Sequence, residues 1–302
     1  MSTSTTTAGQ QRYRMSVLAW PLALAKSATN SPTALRTETV ELLSALSAED
    51  HTALEQELFD AGITTSDGQL SEAWQELLAQ VLSANIVVDF VSRTPDASQH
   101  TQVWLFGGLA AAYTQARTVR QESDGTIEVV GLDPVADLVL FRETDLWPVL
   151  AAGLPDHPLL QAPAANAALA DRPKYAIPAE DVAALQTSVH QTSVHGSTPV
   201  PAVGGLPPEV RDAVVRPKAS VHVTVSTQQK QQGAVWALSE KLYSLRGPTR
   251  HGSPANHAPA SRLVEVSAGD VAREVLWLVF GAHDLQASTE ERSTNAAGNG
   301  AR

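Results

Sequence analysis

Near residue 85 the spacing of apolar residues changes period, and that change most constrains what the chain can fold into. Leu70, Trp74, Leu77, Leu78, Val81 and Leu82 recur at helical intervals. They mark one face of a helix predicted over Ser71–Ala84. A preceding helix is predicted over residues 47–61. Ser47 with Asp50 resembles a capping box with a shortened acid, Leu54, Leu58 and Ala61 share a face, and Gly62 stops the run. From Ile86 the interval drops to two. Strands are predicted at Ile86–Ser92, Gln102–Leu109, Ala112–Val119, Thr126–Leu132 and Ala136–Glu143, with "ESDG" (Glu122–Gly125) and "LDPVAD" (Leu132–Asp137) as turns. A closing helix, capped by Thr144, takes in Leu146, Trp147, Val149, Leu150 and Leu154, with Pro148 near its first turn.

The period of two returns after Pro217. "SVHVTVS" (Ser220–Ser226) alternates and the polar "TQQKQQG" follows. Next come "AVWALSEKLYSLR" (Ala234–Arg246), a loop over Gly247–Ala260 and the strand Arg262–Ser267. Ser267 is placed to cap a helix Ala268–Gly281. Between the two sheet-forming stretches the chain is rich in Ala and Pro and carries the tandem "QTSVHQTSVH" (Gln186–His195). It reads as a linker with short helices at Ala179–Leu185 and Pro208–Val215. The organisation is therefore a disordered tail over 1–11, an α+β half over 12–155, a linker over 156–207, a second α+β half over 208–282 and a polar tail over 283–302. The halves share an order of elements: strand, polar loop, a strand holding Val-Trp (Val103-Trp104, then Val235-Trp236), further strand, closing helix. Trp147 and Trp277 both fall in the closing helices. A repeat of this kind predicts two halves related by a pseudo-two-fold axis.

Charge narrows the function classes. The 302 residues carry a formal net charge of −11. No Lys or Arg occurs from Thr37 to Ser92, a stretch that includes Glu38, Glu49, Asp50, Glu57, Asp60, Asp67 and Glu76. Such a surface repels a phosphate backbone, so nucleic acid is not an expected partner. There is no cysteine, which removes disulfides, a Cys nucleophile and thiolate metal sites. No apolar run reaches the roughly 20 residues that span a bilayer. The N-terminus is Ser/Thr-rich rather than basic, and a cytoplasmic protein without stable membrane insertion is expected.

Motifs for small-molecule chemistry are missing. The sequence has no Walker A, no G-x-G-x-x-G after a strand, no G-x-S-x-G elbow and no H-E-x-x-H. His190 and His195 are five apart, off the spacing that puts two ligands on one helix face. His251 and His257 fall in a Pro/Gly loop. Zinc requires three or four converging ligands, so neither a metal nor another cofactor is expected, and no residue is nominated as catalytic. A hydrolase using dispersed His, Asp and Ser groups stays as the alternative, beside a non-catalytic scaffold that dimerises through a sheet edge.

The segment "VVDFVSRTPDASQHTQVWLFGG" (Val87–Gly108) poses a further question. "SRTPDASQHT" between its two apolar arms exceeds the 2–5 residues of an ordinary hairpin connection. With the acidic helix, "LFDAGI" (Leu58–Ile63), "DGQL" (Asp67–Leu70), "LWPVLAAGLP" (Leu146–Pro155), "AVWALS" and "LVEVSAGDVAREVLWLV", it composes a pattern that resembles the EspG family of type VII (ESX) secretion-associated proteins, over roughly Arg12 to Gly281. The resemblance implies an α+β fold with a central antiparallel sheet flanked by helical bundles in two pseudo-two-fold halves. It implies a non-enzymatic chaperone that binds helical PE–PPE-like substrates before export. It also assigns partner contacts to the long hairpin loop, here Arg93, Pro95, Asp96, Gln99 and His100, and to the closing helix around Trp277. The Ala/Pro/His-rich linker, the Gly247–Ala260 loop and the Ser/Thr-rich start depart from the family pattern, so the client and any homodimer stay open.

Overall fold

A computed structural model describes residues 9–28, 43–121, 127–165, 172–177, 206–246 and 261–299. The expected Glu122–Gly125 turn, Ala179–Leu185 helix, Gly247–Ala260 loop and the histidines at 190, 195, 251 and 257 lie outside these residues. The described chain is mixed α and β. Its strands are β1 (Gln11–Ser16), β2 (Ile86–Arg93), β3 (Ala97–Phe106), β4 (Leu109–Gln121), β5 (Ile127–Arg142), β6 (Lys174–Ile177), β7 (Ala219–Thr227), β8 (Gln231–Leu238), β9 (Leu242–Arg246) and β10 (Ser261–Val266). Hydrogen bonding joins them in the order β1-β5-β4-β3-β2-β7-β8-β9-β10-β6. The registers of β1 with β5, of β8 with β7 and β9, and of β10 with β9 and β6 are antiparallel. Helices are α1 (Ala19–Ser27), α2 (Ala48–Asp60), α3 (Glu72–Leu82), α4 (Leu146–Ala151), α5 (Pro158–Gln161), α6 (Pro208–Val215) and α7 (Asp270–Asn299). No described helix is long and apolar enough to cross a membrane.

The chain divides into two compact units. One contains residues 1–87, 102–116 and 133–146, the other residues 88–101, 117–132 and 147–302. In the first, α1, α2 and α3 cover an apolar cluster built on Met15, Trp20, Leu54, Leu58, Ile63, Trp74, Leu78, Ala111 and Leu138. The rows at i, i+3 and i+4 that predicted α2 and α3 are the rows that are buried. α2 starts as its sequence implies. The Ser47 hydroxyl accepts from the Asp50 amide at 3.1 Å and donates to the Asp50 carboxylate at 2.6 Å. Gly62 ends the helix at a positive φ of 69°, which a side chain with a Cβ resists. Ser47→Ala is expected to lower stability by about 1 kcal/mol, read as a fall in the urea midpoint with unchanged slope.

In the second unit, α6 packs on Ile177, Tyr243, Leu245 and Leu263, and α7 packs on β7 and β8. A charged group is also buried in this unit. Asp270, at the start of α7, is buried and accepts from Trp236 Nε1 at 2.9 Å and from Arg246 Nη2 at 2.9 Å. Arg273 also pairs with it, and Arg246 pairs in addition with Glu274.

The structure corrects several expectations. The polar stretch Ser92–Thr101 is no long loop: β2 runs to Arg93 and β3 starts at Ala97. Thr126–Leu132 and Ala136–Glu143 are one strand, β5, rather than two. Proline is tolerated there because the Val17 carbonyl, which its missing N–H would have met, accepts from the Tyr113 hydroxyl at 2.6 Å, while Pro134 still offers its own carbonyl to the Val17 amide at 2.9 Å. Ser267 does not cap the last helix. Its hydroxyl is buried without a hydrogen-bond partner among the described residues, and the helix starts at Asp270 after a positive-φ Gly269. Finally, α7 runs through Gly281 to Asn299 instead of ending in a disordered tail over 283–302. One helical glycine costs about 1 kcal/mol, and Ala282, buried beyond it, carries the packed face past that point. Thr289 is tied to Gln229 at 3.0 Å.

Candidate partner-binding surface

The β2–β3 connection is a tight turn over Thr94, Pro95, Asp96 and Ala97. The Thr94 amide donates to the Ala97 carbonyl at 2.8 Å, and the Thr94 hydroxyl accepts from the Ala97 amide at 3.1 Å. That hydroxyl also donates to the Asp96 carboxylate at 2.6 Å. No non-glycine residue has positive φ among the described residues, so this is not the Asn-Gly type of two-residue turn. The threonine side chain and the fixed φ of Pro95 hold it instead. The tip is tied to its neighbour as well: the Asp96 carbonyl accepts from the Val119 amide of β4 at 3.0 Å. The β7–β8 connection repeats the device. The Thr227 amide donates to the Lys230 carbonyl at 2.8 Å, and its hydroxyl accepts from the Lys230 amide at 3.1 Å.

The hairpin residues expected to meet a partner divide into two groups. Pro95 and Asp96 are exposed at the tip, with half-buried Arg93 just before it. Burial, and secondarily the charge of nearby Arg117, push the Arg93 guanidinium down to about 10. Gln99 and His100 are strand residues engaged inside the fold. His100 Nε2 lies 3.2 Å from the Asp89 carboxylate. Gln99 lies so close to Gly153 that a side chain there would meet its amide at 2.8 Å, and Ser92 donates to the Gly153 carbonyl at 2.8 Å. A hydrolytic set needs a nucleophile on the other imidazole nitrogen, and among the described hydrogen bonds no Ser or Thr hydroxyl joins His100.

Trp277 belongs to a different element, α7. The row Val271, Val275, Val279 and Ala282 is buried, and Trp277 projects from the opposite side with 68% of its surface exposed. Phe280, one turn on, is 65% exposed. Sequence reasoning singled out the tryptophan and missed the phenylalanine. The signal was available, because Phe280 shares the i, i+3 stripe of Trp277 once the buried row is taken as the seam. Together the two exposed aromatic residues form a small apolar patch on α7.

Among the described residues no three His, Cys, Asp or Glu side chains gather to hold a metal ion. The chain matches no protein-family model, and no curated protein matches its sequence.

Proposed function

We propose that the chain is a non-enzymatic chaperone or adaptor of the EspG kind, which binds helical type VII secretion substrates in the cytoplasm before export. The observation that carries the reading is the strand order. Outward from the β2–β7 junction it runs β2, β3, β4, β5, β1 one way and β7, β8, β9, β10, β6 the other. The proposed pseudo-two-fold halves are these two series. Matching the turn threonines, Thr94 with Thr227, sets Ile86 against Ala219 and Val103 against Trp236. Burial then agrees at five positions, where Ile86, Val88, Phe90, Val91 and Ser92 fall on Ala219, Val221, Val223, Thr224 and Val225, all buried, and differs where half-buried Asp89 falls on buried His222. The match lies one residue from the alignment of Val103-Trp104 with Val235-Trp236, and one residue exchanges the two faces of a strand. Trp236 therefore answers to buried Val103, while Trp104 packs with the cluster around Trp20.

On this reading the client meets an apolar seat with a polar rim. Trp277 and Phe280 are the seat, and Arg93, Pro95 and Asp96 are rim contacts. Since Trp277 and Phe280 are already exposed, replacing both by Ser is expected to leave the melting temperature unchanged. Binding of a co-expressed PE–PPE-like helical pair should weaken by about 2–4 kcal/mol, measured by calorimetry. Full affinity in the double variant would exclude the α7 stripe as the seat. Failure of the parent to capture any such pair would sink the proposal.

A further inference from the structure

β5 outruns its neighbour. β1 covers it only from Val135 to Leu140, and the last bond on that side is from the Val17 amide to the Pro134 carbonyl at 2.9 Å. Before Pro134, residues 127–133 of β5 have β4 on one side and no described strand on the other. Backbone groups alternate between the two edges of a strand. Pro134 turns its carbonyl toward β1, so Leu132, Val130 and Glu128 present their N–H and C=O groups to the same edge, which is open among the described residues. Val130 and Leu132 are 48% and 43% exposed, and they share a face. Natural edges are usually blunted by Lys, Pro or an inward charge. Here "IEVVGLD" (Ile127–Asp133) contains neither Lys nor Pro.

We propose that this edge pairs antiparallel with the same edge of a second copy of the chain, about a two-fold axis through Val130. The segment is complementary to itself in that register. Val130 exchanges both N–H···O bonds with Val130 of the partner subunit, and Glu128 does so with Leu132 of the partner subunit. No carboxylate opposes a carboxylate. Glu128 is already neutralised by Arg120 of β4 at 2.5 Å. Val130 and Leu132 of both copies then cover one another on one face. Moving the axis onto Gly131 or Leu132 brings Pro134, which lacks an N–H, into the paired edge; moving it onto Glu128 sets Glu128 against its own copy; and moving it onto Val129 carries Leu132 past the first residue of the partner's β5. The axis at Val130 is therefore favoured. The contacts of such a dimer use neither the side chains of the β2–β3 tip nor α7.

The absence of native cysteine makes the register directly testable. Directly opposed residues in a hydrogen-bonded antiparallel pair have Cα atoms about 5.5 Å apart, within the range a disulfide spans. Val130→Cys is therefore expected to give an oxidised covalent dimer of the full chain. Leu132→Cys is expected to give none, since two copies of residue 132 would stand about four residues apart along the paired strands. Sedimentation velocity of the parent should show a concentration-dependent dimer. Val130→Lys, which sets like charges opposite each other at a site where the fold needs no apolar group, should weaken it at least about tenfold. Trp277→Ser should not change it. A parent that stays monomeric, a Val130→Lys variant that dimerises like the parent, or cross-linking through residue 132 as efficient as through 130 would each overturn the proposal.

Discussion

Asp270→Ala is expected to destabilise the chain by about 3–5 kcal/mol, because it leaves charged guanidinium groups without their buried counter-charge. In the parent the carboxylate is 1% exposed and faces three donors: Trp236 Nε1, Arg246 and Arg273. Glu274 balances only Arg246. Removing the carboxylate orphans an indole N–H inside the sheet–helix interface and leaves Glu274, on Arg246, as the one acid described at the two cations. Asp270→Asn keeps an acceptor for Trp236 and removes only the charge. It should cost about 1.5–3 kcal/mol, the range for hydrogen bonds to charged groups. Urea denaturation followed by circular dichroism checks both. The midpoint should fall in the order parent, Asn, Ala with little change in slope. A loss under about 1 kcal/mol for the Ala variant would mean that Arg246 and Arg273 reach water once freed.

Trp20→Ala is expected to cost a similar 3–5 kcal/mol by a different mechanism, the cavity left by a large buried ring. Trp20 is fully buried on α1. Its ring lies 5.8 Å from Trp104, 6.5 Å from Trp74 and 6.5 Å from Tyr113, and Tyr13 closes the set on Trp74 at 5.2 Å. These residues come from α1, α3, β1, β3 and β4, so one deletion loosens helices and sheet together. The Trp20 N–H is buried without a partner among the described residues, which already costs stability. Trp20→Phe sheds that unmet donor while keeping a ring, and it should lose less than half as much as Trp20→Ala. Equal losses for the two variants would show that the indole's full volume, rather than ring contact, holds the cluster. Intrinsic fluorescence beside circular dichroism separates local loosening from global unfolding.

Legibility in the sequence followed the range of the interaction. Helices α2, α3 and α6 were predicted within a residue or two because their caps and apolar rows are local: Ser47 with Asp50, Leu54 with Leu58, Trp74 with Leu78 and Val81. The alternating strands Ile86–Arg93 and Ala219–Thr227 were legible for the same reason. What failed was the reading of polarity as loop. "SRTPDASQHT" is polar because Gln99 and His100 meet Gly153 and Asp89 inside the fold, not because it leaves the sheet. "TQQKQQG" erred alike, its residues from Gln231 on belonging to β8. The polar end of α7 was misread in the same way.

By itself the sequence determined the alternation of helix and strand, an acidic exterior, a chain without thiol chemistry, and Trp277 as a residue of the closing helix. Only the tertiary structure decided which apolar residues are left without a partner. Val279 and Phe280 are neighbours of similar apolar character, yet one is buried on the sheet and the other is 65% exposed. Likewise Val130 is exposed and Leu138 buried on one and the same strand, because the apolar cluster built on Trp20 and Trp74 takes in Leu138 and not Val130. Composition and period fix which residues share a face. Which face is covered, and for how much of its length, depends on where a distant element ends, and no local pattern encodes that distance.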